Sequence, residues 1–489
     1  MITKYRSIQT LVLVLLGLAF AIAARSGENG QTFVPNGANF PNPGGTSSTY
    51  STTGSIDLTG PFFQSMGTNG RTCGTCHQPS DGMSVSAAHV QQRFDTSAGL
   101  DPIFRTVDGS NCNHDIDVST VEGRSAAYSL LRTRGLIRVA IAIPANADFD
   151  VVSVDNPYSC NETDTISQYR RPLPATNLQF LSTVMFDGRE SSPLTGTAKI
   201  LPSNYPNSIE SNLRHQSVDA TNGHAQGDGT RPTPAEQQQI VDFEMALFTA
   251  QATGNRTGNL HALGATGGPK ALVDQSFFIG INSQIPAFEN PASGIFNPSI
   301  FNTFDAWAAL PYQDPRAAVA RGQVLFNSKP INITGVAGLN DDKAAGGLVS
   351  GGLALIPGTC GTCHDTPNVG NHSFPTPLDI GTGNPSPANP SVNLGGLDIS
   401  YLPKITVRNK VTHEEKTTTD LGQALIDGKF DHVGKIKGPI LRGLSARAPY
   451  FHNGAAQSLL DVVRFYEARF GVVFTPQEEE DLVAFLSAL

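Results

Sequence analysis

The same five residues, Cys-Gly-Thr-Cys-His, occur twice in this chain, at 73–77 and at 360–364. Two cysteines separated by two residues and followed by histidine are the attachment signal for c-type haem. The thiols add to the porphyrin vinyl groups, and the histidine becomes the proximal ligand of the iron. A zinc site needs a second close Cys/His pair and a thioredoxin-like redox pair needs a βαβ context, so neither explains two such copies. The sequence predicts two covalently bound haem c groups, one held by Cys73, Cys76 and His77 and the other by Cys360, Cys363 and His364.

After a long interval, each copy is followed by a helix with the same start signal. Thr233-Pro234-Ala235-Glu236 and Thr475-Pro476-Gln477-Glu478 both place threonine at the N-cap, proline first and glutamate third in the helix. Apolar residues then recur at helical spacing, namely Ile240, Phe243 and Leu247, and again Leu482, Phe485, Leu486 and Leu489. This repetition predicts a mainly α fold: two cytochrome c-like haem domains in tandem, with long loops and an insertion in the first.

Composition predicts the boundaries of these domains. Gly, Ser, Asn, Pro and Thr are frequent before residue 55 and indicate a flexible segment, and Gly and Pro are dense again in the middle of the chain. A short strand is expected at about 136–143. The predicted parts are a flexible lead-in at 24–55, a first haem domain at 56–255 with an insertion at about 107–174, a linker at 256–315 and a second haem domain at 316–489.

The N-terminus has the parts of a secretory signal peptide. Lys4 and Arg6 precede an apolar run, Leu11 to Ala21, that is shorter than the ~20 residues needed to span a bilayer. We expect a signal peptide at 1–23, export to the periplasm and no integral membrane segment in the mature chain. A net charge of -9 argues against a nucleic-acid binder, because that class neutralises phosphates with Lys and Arg.

Four of the six cysteines belong to the haem motifs, which leaves Cys112 and Cys160. Both lie in the insertion of the first predicted domain. In an oxidising compartment a left-over pair more often forms a bridge than stays free. The sequence therefore predicts a structural disulfide between them.

Further segments carry a family resemblance. Three lie near the C-terminus: Lys437–Leu444 resembles "P-x-LRN", Ala448-Pro449-Tyr450-Phe451-His452-Asn453-Gly454 resembles "APYFHDG", and Ser458–Tyr466 resembles "TLEEAV". Two lie in the first predicted domain: Asp187-Gly188-Arg189-Glu190 resembles "WDGR", and Arg171–Asn177 resembles "R-x-x-P-T-x-x-N". All five patterns are those of the bacterial di-haem cytochrome c peroxidase family. That family includes the methylamine dehydrogenase maturation enzyme. With both haem motifs, the resemblance covers about residues 60–489.

The resemblance implies a ligand for the second iron. Peroxidases of the family bind that iron through histidine and a methionine on the helix after the "APYFHDG" segment, and the matching position here is Tyr466. The maturation enzyme also has tyrosine there, so Tyr466 is the expected ligand opposite His364. A phenolate ligand would lower the reduction potential of the iron. The alternative is a core role, because Tyr466 shares a helical face with Leu459 and Val463.

Two family features are altered in this chain. The tryptophan of "WDGR", which lies between the haems in the family, is Phe186, and the only tryptophan, Trp307, is in the predicted linker. Phenylalanine is hard to oxidise, so a relay through that side chain is not expected. The Asn and Thr of the family's interdomain calcium site correspond to Arg171 and Arg447, so calcium is not expected.

The first haem is expected to be the reactive one. The family places a glutamine and a glutamate on its distal side; Gln216 matches the glutamine, and the glutamate has no clear counterpart. His224 is the expected acid/base, because a histidine can exchange a proton with bound peroxide near neutral pH. His89 is the candidate for a removable sixth ligand.

These features predict an exported di-haem peroxidase. It would reduce hydrogen peroxide with electrons from a small carrier protein of the cytochrome c or cupredoxin type. One alternative is a di-haem oxidase that acts through high-valent haem on another substrate, such as a protein side chain. The other is a non-enzymatic electron carrier with both irons six-coordinate.

Overall fold

A computed structural model of the chain describes residues 32–112, 116–160, 162, 165–191, 207–278, 281–282, 296–342, 352–370 and 377–489. The expected signal peptide at 1–23 lies outside the described residues. Within them, no helix has both the length and the apolar character needed to cross a bilayer.

The expectation of a mainly α fold is wrong. Helix accounts for 30% and strand for 20% of the structure, and the strands form several small sheets. Some of the strands come from runs in which Val, Ile or Thr alternates with polar residues, such as Phe149–Asp155 and Lys404–Asn409. Such runs favour the pleated, half-buried surface of a sheet. The shared helix starts describe only part of each half of the chain.

Eleven α-helices lie within the described residues. They are α1 Ala87–Ser97, α2 Val121–Ala127, α3 Ser129–Arg134, α4 Asn207–His224, α5 Pro234–Met245, α6 Lys270–Val273, α7 Pro315–Ser328, α8 Cys360–Cys363, α9 Ala424–Asp427, α10 Leu459–Phe470 and α11 Pro476–Ser487. The two predicted capping boxes are confirmed: Thr233 caps α5 with Glu236, and Thr475 caps α11 with Glu478.

Seventeen strands lie within the same residues. They are β1 Phe33–Pro35, β2 Asn39–Asn42, β3 Gly45–Ser51, β4 Ser55–Asp57, β5 Ile137–Ile141, β6 Phe149–Asp155, β7 Ile166–Arg170, β8 Thr183–Val184, β9 Glu190–Ser191, β10 Leu247–Gly254, β11 Gly258–Asn259, β12 Ile331–Ile333, β13 Ile356–Gly358, β14 Pro385–Ser386, β15 Asn389–Asn393, β16 Lys404–Asn409 and β17 Glu415–Thr418. Strand β5 is the short strand expected at about 136–143.

The expected flexible lead-in (24–55) is instead strand-forming over its described residues. Strands β2 and β3 join β10 and β11 in a four-stranded sheet, with Ser51 opposite Leu247. Ser47, Ser48 and Thr49 on β3 are buried, so this polar segment is fixed by backbone pairing and by hydrogen bonds such as Thr49–Thr249 at 2.8 Å. Composition alone missed it because the partner strand lies about 200 residues away.

A second sheet joins distant parts of the chain. Strand β6, in the predicted insertion, pairs antiparallel with β16, in the last hundred residues, and β17 completes the sheet. Behind it, Phe149, Ile405, Val407 and Phe430 form a buried cluster. The insertion thus packs against the C-terminal part of the protein. It also carries a disulfide between Cys112 and Cys160, with a Cα–Cα distance of 5.4 Å.

The largest apolar cluster lies around α7, α10 and α11. It includes Phe326, Val463, Leu482 and Phe485, and it also takes in Phe301, Phe304 and Trp307 from the predicted linker (256–315). Trp307 is fully buried against Phe304 and donates its indole N–H to the carbonyl of Ala262 at 2.9 Å. This tryptophan is therefore a packing residue of the core.

Candidate haem-binding sites

The first Cys-x-x-Cys-His segment is a short 3₁₀ turn at Cys73–Thr75, with Thr72 and Thr75 exchanging capping hydrogen bonds. His77 follows, and its Nδ1 atom lies 3.0 Å from the carbonyl oxygen of Met83. Met83 has φ +58°, a left-handed conformation that is uncommon for a non-glycine residue. A histidine whose Nδ1–H is held by a carbonyl is left with Nε2 as its free ligand atom.

The second segment repeats this arrangement. The single turn α8 is capped by Thr359 and Thr362, and His364 follows it. Val369 also has φ +58°. Burial lowers the pKa of His364 to about 4, opposed in part by the Val369 carbonyl. The Nδ1 atom of His364 nevertheless makes no well-formed hydrogen bond within the described part of the chain.

The four cysteines of these segments are free thiols in half-buried positions. Burial raises the pKa of Cys73 and of Cys360 to about 12, and that of Cys363 to about 11. With nothing bound, these thiols are therefore protonated near neutral pH. Two histidines that burial keeps neutral, each beside a pair of protonated thiols, fit covalent attachment of haem.

Tyr466, the expected second ligand, lies directly opposite His364. Its hydroxyl oxygen is 3.5 Å from Nε2 of His364, and the two rings are nearly perpendicular. Burial, and then the nearby Cys363 and Cys360, raise the pKa of Tyr466, so the phenol is neutral unless a cation is bound beside it.

The first segment instead faces an open pocket. The pocket encloses about 1280 Å³ including its mouth, and its lining includes Cys73, Cys76 and His77. One wall is a stripe of α4 at helical spacing, formed by Leu213, Gln216, Ser217, Ala220, Thr221 and His224. The sequence-predicted Gln216 and His224 are thus two turns apart on one helix face. Both line the pocket of His77.

His224 is held in place by a charged group from the insertion. Its Nδ1 atom is hydrogen-bonded to Asp108, which also forms an ion pair with Arg71. Burial would raise the pKa of Asp108, but His224 and Arg71 together hold it below its ordinary value. A carboxylate on Nδ1 leaves the Nε2 atom of His224 as the nitrogen that can exchange a proton with a ligand in the pocket.

Glu244 on α5 also lines this pocket and was missed in the sequence. It is buried, and burial raises its pKa to about 8. The available signal was a charged residue on an apolar helix face, three residues before Leu247 and four after Ile240. The family resemblance does not indicate Glu244, because it places the distal glutamate near the glutamine that Gln216 matches on α4.

The structure also places the other residues that the sequence singled out. His89 is bonded to Asp81 at 2.9 Å and is not among the residues that line the first pocket. Phe186 lines the pocket and contacts the ring of His452, with 5.9 Å between ring centroids. Arg171 donates to the carbonyl oxygen of Arg447 at 2.8 Å. Burial, and then the charge of Arg447, lower the pKa of Arg171 to about 9.

The comparisons with known proteins agree with haem chemistry. No family model matches the chain. Curated relatives do: cytochrome-c peroxidase IdrP1 of Denitromonas iodatirespirans is 29% identical over 171 residues, 30% of this chain and 42% of that protein. The protein of the same name from Pseudomonas sp. (strain SCT) is 40% identical over 158 residues, 28% of this chain and 38% of that protein.

These matches support a relationship to the cytochrome c peroxidases, an oxidoreductase class that uses haem c. The matched region spans about two-fifths of the length of these curated relatives.

Proposed function

We propose that this protein is an exported di-haem peroxidase that reduces hydrogen peroxide to water with electrons from a small carrier protein. Cys73, Cys76 and His77 would hold the first haem, and Cys360, Cys363 and His364 the second, with Tyr466 as the further ligand of the second iron. The similarity to proteins named cytochrome-c peroxidase supports the reaction, and the leader-like N-terminus supports export to the periplasm.

The observation that carries the proposal is the difference between the two sites. Nε2 of His364 is faced by the Tyr466 hydroxyl at 3.5 Å, which supports Tyr466 as a second protein ligand at that position. His77 instead opens on a pocket lined by Gln216 and His224. An iron with two protein ligands transfers electrons, whereas an iron with one open position binds and activates a substrate.

Haem in the first pocket would supply the iron that binds peroxide and exchanges electrons. The surrounding residues then have separate tasks. His77 holds the proximal side and stays neutral, because burial lowers its pKa. Gln216 offers amide hydrogen bonds to a bound peroxide. His224 would accept a proton from one peroxide oxygen at Nε2 and return it to the other oxygen, while Asp108 orients its ring through Nδ1. Two electrons and two protons convert one hydrogen peroxide to two waters.

Tyr466 also favours a second candidate, an oxidase that acts on another substrate. A phenolate donates charge to iron and stabilises its oxidised states, which suits storage of oxidising power. Phe186 in place of the family's tryptophan speaks against it, because phenylalanine cannot readily pass that oxidation onward. The peroxidase therefore remains the leading function.

The test is the resting spectrum of the full-length protein, followed by addition of one equivalent of peroxide. A high-spin ferric signal from one haem, lost rapidly with peroxide, is expected, together with peroxide consumption when a reduced cytochrome c or cupredoxin is supplied. Two low-spin haems that do not react with peroxide after partial reduction would mean a simple electron carrier. Consumption of a protein substrate in place of the donor would favour the oxidase.

Replacing Tyr466 with phenylalanine is expected to change the spectrum of one haem only. The substitution removes the oxygen that faces His364 and keeps the ring, which packs near Phe465 and Phe470. The measurement is electron paramagnetic resonance of both ferric haems. Tyr450→Phe is the matched control, because that hydroxyl is hydrogen-bonded to the carbonyl of Leu444 instead. An unchanged spectrum in Tyr466→Phe rules out ligation by this residue.

A further inference from the structure

Glu244 is a buried carboxyl group in the first pocket for which the proposed reaction has no role. The residue is 5% exposed, and its Oε2 atom is buried without a hydrogen bond to any described residue. A buried polar atom without a partner costs about 1–3 kcal/mol, and a buried unpaired charge costs more. An orphaned carboxyl oxygen in a pocket wall therefore points to a partner that binds in the pocket.

The second half of the chain contains a matched position without a carboxyl group. Helices α5 and α11 are both twelve residues long and start with the same capping box. Counting from the N-caps places Glu244 at the position of Leu486. Leu486 is also buried and belongs to the apolar cluster on which Cys360 packs. Leucine suffices for packing at this place in the helix, so the fold does not require the carboxyl group.

Within the described residues, no cation is paired with Glu244. The arginines that line the same pocket are bonded elsewhere, Arg71 to Asp108, Arg170 and Arg189 to Asp187, and Arg171 to backbone carbonyls. From the first haem motif, Cys73 faces it, and the Glu244 charge adds to the raised pKa of that thiol. The segments 61–63 and 178–180, which pack on α5, have no titratable side chain. Helix α4 presents Arg214, which is bonded to Gln238 and Glu210, and His224, which is bonded to Asp108. On α5 itself, Glu236 is paired with Arg231, and Asp242 accepts from Gln238.

We propose that Glu244 is a proton-binding residue whose protonation follows the charge of the cofactor at the first haem motif. The inference rests on the haem assignment proposed above. A positive charge on the cofactor favours the ionised, carboxylate form of Glu244. When that charge is lost, only the burial of Glu244 acts on its pKa, and burial favours the protonated carboxylic acid. When the donor protein delivers one electron to this site, one proton from solvent binds the Glu244 carboxylate. When the electron leaves, the proton is released, and the pocket keeps the same total charge.

The experiment measures the midpoint potential of the first haem against pH in the full-length protein. In the wild type the midpoint potential of the first haem is expected to fall as pH rises, over the pH range in which reduction of the haem is accompanied by binding of one proton to Glu244. In Glu244→Gln this dependence should be lost. Leu486→Gln places the same amide at the matched position of the other half and should leave the dependence of the first haem intact. Glu244→Leu, the residue that the second half uses, is a further variant that should fold and lose the dependence.

Infrared difference spectra give a readout that does not depend on activity. Reduction should produce the C=O band of a protonated carboxylic acid in the wild type and not in Glu244→Gln. An unchanged pH dependence in both Glu244 variants, or no carboxylic acid band in the wild type, overturns the inference. The haem content of the protein distinguishes failure of this inference from failure of the proposed function. If no haem is covalently bound to Cys73 and Cys76, both the proposed function and the role of Glu244 are wrong. If haem is bound there but the pH effect is absent, only the role of Glu244 is wrong.

Discussion

Replacing Cys73 and Cys76 together with alanine is expected to lower the covalently bound haem from two to one per chain and to reduce peroxide turnover to the uncatalysed background. The thiols are the attachment points, and without them His77 has no fixed iron to bind. The pocket that contains Gln216 and His224 is then left without its reactive group. The measurement is haem stoichiometry of the purified protein, together with peroxide consumption in the presence of a reduced donor.

Two control pairs make this result specific. Cys360→Ala with Cys363→Ala should also leave one haem, but the remaining site should still give its spectral change with one equivalent of peroxide. Cys112→Ala with Cys160→Ala removes the disulfide and should keep both haems, because that bridge lies outside both haem motifs. If the Cys73/Cys76 variant retains peroxide turnover, or if the Cys360/Cys363 variant no longer reacts with peroxide, the assignment of the first site as the reactive one is wrong.

The parts of the site that could be predicted from sequence are those fixed by local spacing. The Cys-x-x-Cys-His spacing places each histidine beside its thiols, and the Thr-Pro-x-Glu boxes start α5 and α11 where expected. Gln216 and His224 reach the same pocket because eight residues make just over two helical turns, which leaves both within one broad face of the helix. The structure places both residues on the helix α4.

The parts that could not be predicted depend on partners distant in the chain. The serines and threonines of β3 look like a flexible segment until β10 pairs with them, and β6 has no partner until β16 is placed beside it. The expectation of a mainly α fold failed for this reason, because helix signals lie within a short stretch of sequence, whereas a strand pair depends on two segments that can be far apart in the chain. Glu244 was missed for a related reason: its importance depends on a pocket formed by α4, α5 and the first haem motif together.

A buried group of charges beside the first pocket gives the second large prediction. Arg170 forms two hydrogen bonds with Asp420, at 2.6 and 2.8 Å, and an ion pair with Asp187, and all three side chains are at most 4% exposed. Arg170→Met should lower the free energy of unfolding by about 3–5 kcal/mol, because it leaves the buried carboxylate of Asp420 without its bonded cation and that of Asp187 with Arg189 alone. Denaturant titration at matched haem content measures this. Arg408→Met, which breaks an exposed pair with Glu415, should cost less than about 1 kcal/mol.

The effect of Arg170→Met should also depend on pH in a defined direction. Burial raises the pKa of Asp420 and of Asp187, but the charge of Arg170, joined at Asp187 by that of Arg189, holds both below their ordinary value. The wild type therefore has this stabilisation above about pH 4 and loses it as pH falls through the folded-state values. In the variant both carboxyls protonate more readily, so the difference in unfolding free energy should narrow in acid. Asp187→Asn with Asp420→Asn should partly restore the Arg170→Met variant, since no buried carboxylate then lacks a cation. A cost below about 1 kcal/mol for Arg170→Met at neutral pH, or a difference that widens in acid, would contradict this account of the buried charges.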